Sequence, residues 1–283
     1  ATQTGGPIIE PAAICGASAL RPSYGRVSRH GVMPVAWSFD KVGPLCRTVE
    51  DCAIVFDALR GGDDFDLSVV DLPFNWHAGA NPQQVRLGFL EAAFAEERSL
   101  PDEANNDAAT LRQLRSLGFR PEPVELPDYP IEAAMLVMWF SEVGSVWDDL
   151  VRSGQDAFLT RQDPAHIGNL ARMTHTVPAV DATRASRVRT KIMQAAARIF
   201  DAVDVYVAPF SVGPQNPPVA NLNLQMTNLT GHPAVVVPNG FTRDGRPTGI
   251  TFIGKLHGEA DTLLVAKTYQ DATDFHLRHP RVQ

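Results

Sequence analysis

Two runs, residues 203–209 and 234–238, are apolar but for a single aspartate, Asp204, and each ends on a proline. Compact apolar runs ended by proline have the pattern of strands covered on both faces. A sheet hidden on both sides needs helices packed over it, and residues 249–254 supply a third such strand. The stretch 85–90 reads as a further strand, a helix follows over 102–117 with Gly118 as its cap, and residues 124–126 read as a short strand. That order points to an α/β layer rather than to a bundle or a sandwich.

Other segments fit around this core. Thr48 and Asp51 have the spacing of a capping box, and Val49, Cys52, Phe56 and Leu59 follow at helical intervals until Gly61 and Gly62. Residues 61–82 are loop-like. Residues 130–200 read as helices over 131–151, near 165–173 and over 181–200, and a last helix covers 259–273. The long helix carries Arg184, Arg187, Arg189, Lys191 and Arg198, read as a solvated face rather than an anion site. Met135, Met138, Trp139, Phe140 and Trp147 fall at helical spacing and are read as core rather than as an acyl pocket. No repeat, low-complexity tract or linker divides the chain, so residues 1–283 are taken as one domain.

Composition narrows the function. The 283 residues are 44% hydrophobic and 20% charged, with a net charge of −7 and both signs mixed along the chain. A basic footprint for nucleic acid is missing, and no apolar stretch reaches the roughly 18–20 residues that span a bilayer. The chain begins without Met or an apolar leader, so residue 1 is not expected to be the start of translation. Cys15, Cys46 and Cys52 form no Cys-x-x-Cys pair and are read as buried thiols of a cytoplasmic protein. No metal and no cofactor is expected.

Residues 1–45 are rich in Gly, Pro and small side chains, which favours tight turns over long helices. Thr4, Gly5 and Gly6 could turn successive amides toward one point and hold an oxyanion, although an ordinary turn explains two glycines equally well. Pro7 removes one N–H from that set. The Gly-x-Ser-x-Gly elbow, the zinc helix and the phosphate loop of other hydrolases and nucleotide enzymes are all missing. His232 and His257, in glycine-bearing turns, are read as packing or surface residues rather than general bases.

Two blocks carry a resemblance. Thr2, Thr4, Gly5, Gly6, Ile8, Pro11, Ala12, Cys15 and Gly16 lead into residues 20–31, then Asp40, Lys41, Val42, Gly43 and Pro44, then residues 47–51. A C-terminal block agrees: residues 204–209, 228–234, 245–254 and 259–266. In order and spacing these resemble the amidase signature, and the chain is identified as the C-terminal part of a member of that family. The resemblance implies a mixed central β-sheet covered by helices on both sides, with the N-terminal part of the family fold missing.

Members of the family cleave amides, or release ammonia from them, with a serine nucleophile, a second serine on a cis peptide and a neutral lysine. Carried over, the oxyanion loop falls on Thr4, Gly5 and Gly6, and the nucleophile position falls on Pro7. The bridging serine and the lysine would lie before Ala1, so no intact catalytic residue is assigned. Gln3 and Ile9 occupy positions where the family commonly pairs an acid with an arginine, and losing both avoids stranding one buried charge. The resemblance thus implies an amidase-like chain for a small amide substrate, inactive alone, that self-associates or pairs with the missing N-terminal segment. The alternatives are a non-catalytic relative serving as a binding or scaffold protein and, last, an amidotransferase-like subunit working with partner chains.

Overall fold

The computed structural model describes residues 1–98, 100–164, 166–210 and 218–278. The glycine-rich start folds into strand β1 (Thr2–Gln3), helix α1 (Ile9–Cys15) and strand β2 (Ser18–Arg21), followed after a loop by β3 (Lys41–Val42) and β4 (Leu45–Cys46). Helix α1 goes beyond the turns expected there. Pro11 sits in its first turn, where a missing N–H is harmless, and Gly16 at φ 63° takes the left-handed conformation that ends it. A helix of 7 residues is too short to show an apolar period in the sequence.

Helix α2 (Val49–Leu59) starts as its capping box requires: Thr48 Oγ1 accepts from the Asp51 amide at 3.0 Å, and the Asp51 carboxylate accepts from the Thr48 amide at 3.2 Å. Val49, Cys52 and Phe56 are buried, whereas Leu59, expected on the same face, is 42% exposed. Strand β5 (Leu87–Leu90) leads through α3 (Glu91–Ala95) and α4 (Pro101–Ser116) to β6 (Glu122–Val124), with Gly118 at φ 92° turning the chain between them.

The helical middle comprises α5 (Ile131–Val146), α6 (Asp148–Arg152), α7 (Ile167–Thr174), α8 (Ala179–Ala197) and α9 (Ile199–Ala202). The single helix expected over 131–151 breaks at Trp147, whose φ of −103° and ψ of 14° leave the helical region. Ala165, where the next helix was expected to begin, lies outside the described residues. The chain ends with β7 (Val205–Phe210), α10 (Pro218–Thr230), β8 (Ala234–Phe241), β9 (Pro247–Gly254) and α11 (Glu259–Asp271).

Seven strands form one sheet in the order β4-β2-β8-β9-β7-β5-β6. The pairs β7–β5 and β5–β6 are parallel and the other pairs antiparallel, so the sheet is mixed. Alternation sorts its side chains. Val205, Val207, Val235, Val237, Ile250 and Phe252 enter one core with α2, α4 and α11, while Tyr206, Ala208, Ala234, Val236 and Ile253 enter a second core with α1. A third core joins α5, α8 and α10 to Ala36 and Phe39, and it takes Met135 and Met138 as expected.

The strands run past the prolines that read as their ends. Pro209 lies beyond Val207, the last β7 residue paired with β5, and Pro238 lies beyond Val236, the last β8 residue paired with β2. At both places the neighbour on one side has stopped, and the lost N–H breaks no ladder bond there. The edge strands β4 and β6 have 2 and 3 residues, too short to offer a long unpaired edge. No helix among the described residues is long and apolar enough to cross a membrane.

Candidate functional site

Strand β1 pairs antiparallel with β3, placing Thr2 opposite Val42 and Gln3 opposite Lys41. The start of the glycine loop is therefore held against the block that begins at Asp40. Thr4 Oγ1 donates to Asp40 Oδ1 at 2.5 Å, while Asp40 Oδ2 accepts from the amides of Val35 and Ala36 at 2.8 and 3.1 Å. One buried carboxylate thus ties the loop to the turn over residues 35–40.

Gln3 organises the other side. It is buried, its Oε1 accepts from the amides of Ile8 and Ile9 at 2.8 and 3.1 Å, and its Nε2 donates to the Gly5 carbonyl at 2.9 Å and to Asn228 Oδ1 at 3.0 Å. Asn228 Nδ2, from α10, donates to the same Gly5 carbonyl and to Leu224 O. Ile9 is fully buried among apolar side chains. Where the resemblance implies an acid and an arginine, this chain has a neutral amide network and an apolar contact, and neither requires burying a charge.

Lys41 lies beneath the loop, buried, with Nζ donating to Phe39 O at 2.7 Å and to Asn228 O at 3.3 Å. Burial, then the nearby Arg21 and Arg189, hold its amine well below the usual lysine range. Arg189 departs from the solvated helix face expected of it. Its guanidinium donates to Leu229 O, Ser38 Oγ and Ser38 O at 2.6, 2.7 and 3.0 Å and lies over the Phe39 ring, whereas Arg184, Arg187, Lys191 and Arg198 are exposed. The sequence offered no sign of this difference, which depends on where α8 meets α10.

The outward face of the loop is what could meet a ligand. Gly5 and Gly6 are half-buried and Pro7 is exposed. The Gly5 and Gly6 carbonyls accept from Gln3, Asn228 and Glu10, whereas the Gly5 and Gly6 amides have no acceptor among the described residues. Those two N–H groups are donors a substrate oxygen could use. Neither glycine has a positive φ, so a left-handed nest does not explain them. At Gly6 an added Cβ would meet the end of the Glu10 side chain, which would have to move aside. Burial raises the pKa of Glu10, the cost of holding a carboxylate against the loop.

The other residues singled out from the sequence serve packing. His232 is buried, shares a 2.7 Å hydrogen bond with Thr230 Oγ1 and stacks on Phe200, and burial with Arg21 pushes its pKa down to about 3. His257 is exposed and its amide donates to Ser23 Oγ at 2.8 Å. Of the thiols expected to be buried, only Cys52 is; Cys46 is half-buried and Cys15 exposed. Among the described residues no group of three or more His, Cys, Asp or Glu side chains could hold a metal ion.

A mixed sheet between helical layers, with a glycine loop braced by Asp40 and Asn228, defines the class. The model of the Amidase family matches residues 1–263, and the chain belongs to that family. It is 33% identical over 319 aligned positions to the glutamyl-tRNA(Gln) amidotransferase A subunit of Roseiflexus castenholzii, covering 100% of this chain and 64% of the relative. It is 32% identical to the same subunit of Geotalea daltonii, covering 98% and 64%. The chain spans about 64% of the length of these curated relatives. Among solved structures, one described as an unexpected vestigial protein complex that reveals the evolutionary origins of an s-triazine catabolic enzyme superposes with a TM-score of 0.79 at 26% identity, over 96% of this chain and 62% of that one. The glutamyl-tRNA(Gln) amidotransferase A subunit of Thermotoga maritima shares the fold, with a TM-score of 0.71 at 22% identity over 96% and 61%.

Proposed function

We propose that this chain is an amidase-family protein whose loop binds a small amide without cleaving it by serine chemistry. The observation that carries this reading is Pro7, exposed at the bend after Gly5 and Gly6, where the resemblance places the nucleophilic hydroxyl. Proline has no side-chain atom that can attack a carbonyl. The loop around it is nonetheless braced from behind. Gln3 and Asn228 bond each other and both hold the Gly5 carbonyl, while Asp40 holds Thr4, as expected of a loop kept in shape for binding. The Gly5 and Gly6 amides, without an acceptor among the described residues, supply donors for an amide oxygen.

A second reading, an amide hydrolase or a subunit that releases ammonia for partner chains, draws support from the identity to the amidotransferase subunits. It requires a nucleophile other than residue 7. The three cysteines are all free, which suits a reducing compartment such as the cytoplasm.

Two measurements test the proposal on the natural protein. A fluorophosphonate probe, which captures activated serines, is expected to leave the chain unlabelled; stoichiometric labelling would overturn the loss of serine chemistry. Titration with acetamide and benzamide in ¹⁵N-resolved NMR is expected to move the Gly5 and Gly6 amide resonances. If neither peak moves at saturating amide, the binding role fails.

A further inference from the structure

Cys46 and Cys52 converge on one backbone residue. Cys46, in edge strand β4, is the register partner of Ser18 in β2, and Cys52, in the first turn of α2, donates its thiol to the Ser18 carbonyl at 3.6 Å. Helix α2 packs on β4, and both cysteines join the same apolar core, Cys52 fully buried within it and Cys46 at its margin with part of its surface in solvent. One thiol is thus open to small reagents, and the other waits behind it.

We propose that Cys46 and Cys52 form a thiol pair that reacts with low-molecular-weight disulfides and closes to an intramolecular disulfide. The Cys46 thiolate attacks one sulfur of a reagent such as oxidised glutathione, forming a mixed disulfide and releasing one glutathione thiolate. Cys52 then loses its proton to water and attacks the Cys46 sulfur, releasing the second glutathione. Two protein thiols are oxidised and one small disulfide is reduced to two thiols, so electrons and protons balance.

The electrostatics suit the two roles. The neighbouring Cys52 thiol brings the pKa of Cys46 down to about 7, against the opposing effects of burial and Asp51. The same contact and burial raise the pKa of Cys52, so Cys46 is the attacking sulfur and Cys52 the resolving one. The closed bond would clip the edge strand β4 to the start of α2 across the capping residue Thr48.

The test uses the natural protein under oxidised glutathione, quenched with N-ethylmaleimide and digested with trypsin. Cleavage after Lys41, Arg47 and Arg60 separates the two cysteines into peptides 42–47 and 48–60. The expected product is these two peptides joined by a disulfide, with Cys15 carrying glutathione or maleimide. Cys46 accumulating as a stable glutathione adduct, or failing to react where Cys15 does, would overturn the proposal. The Cys52→Ala variant supplies the second arm: the pH midpoint of Cys46 alkylation by iodoacetamide should rise from about 7 toward the ordinary thiol value of ~8.5, and the glutathione adduct should persist. An unchanged midpoint would show that the two sulfurs do not act together.

Discussion

Gln3 Nε2 donates to Asn228 Oδ1 at 3.0 Å, joining two residues 225 positions apart in the chain. The same Gln3 side chain accepts from the Ile8 and Ile9 amides at the entrance to α1. Gln3→Ala would leave these buried partners unsatisfied and should cost about 2–4 kcal/mol. Urea denaturation of the variant is expected to show a lower midpoint with an unchanged slope; a loss below ~0.5 kcal/mol would show that the network does not brace the loop.

Arg184 and Arg189 lie on one helix but differ in consequence. Arg189→Met removes three hydrogen bonds to Leu229 and Ser38 and should cost ~2–3 kcal/mol, most of it from stranded buried acceptors. Arg184→Met, at an exposed position, should stay within about 0.5 kcal/mol of the parent. Equal melting temperatures for the two variants would contradict the assigned role of Arg189.

The cap of α2 makes a local prediction. Thr48→Ala deletes the acceptor for the Asp51 amide and should cost ~1 kcal/mol, while Thr48→Ser should restore nearly all of it. Thermal melts of the pair with the parent decide the matter.

His232 sets a pH window. Its pKa is pushed down to about 3 in the fold, from 6.5, so between those values the unfolded chain binds a proton that the native chain does not. Stability present above pH 6.5 is therefore lost as the pH falls toward 3, by up to about 5 kcal/mol. In His232→Gln, whose amide does not titrate, the fall in urea midpoint between pH 6.5 and 4 should be shallower. Parallel curves for variant and parent would remove His232 as the cause.

Where local chemistry decides structure, the sequence was enough. The Thr48–Asp51 box, the apolar runs of β7, β8 and β9 and the Gly118 turn depend on neighbours a few residues away, and each shows itself as spacing or composition. The resemblance likewise placed Thr4, Gly5, Gly6 and Pro7 in one loop and marked Gln3 and Ile9 as departures. Helix α1 escaped notice because 7 residues hold too little periodicity, and the strands outran Pro209 and Pro238 because the length of a neighbouring strand decides whether a lost N–H matters.

The bracing of the loop belongs to tertiary structure alone. Asp40 reaches Thr4, and Asn228 reaches Gln3 and Gly5, only after β1 pairs with β3 and α10 docks beside them. Arg189 differs from the other cations of α8 for the same reason. A side chain's partner across a long stretch of sequence is chosen by how sheets and helices pack, and no spacing along the chain encodes it.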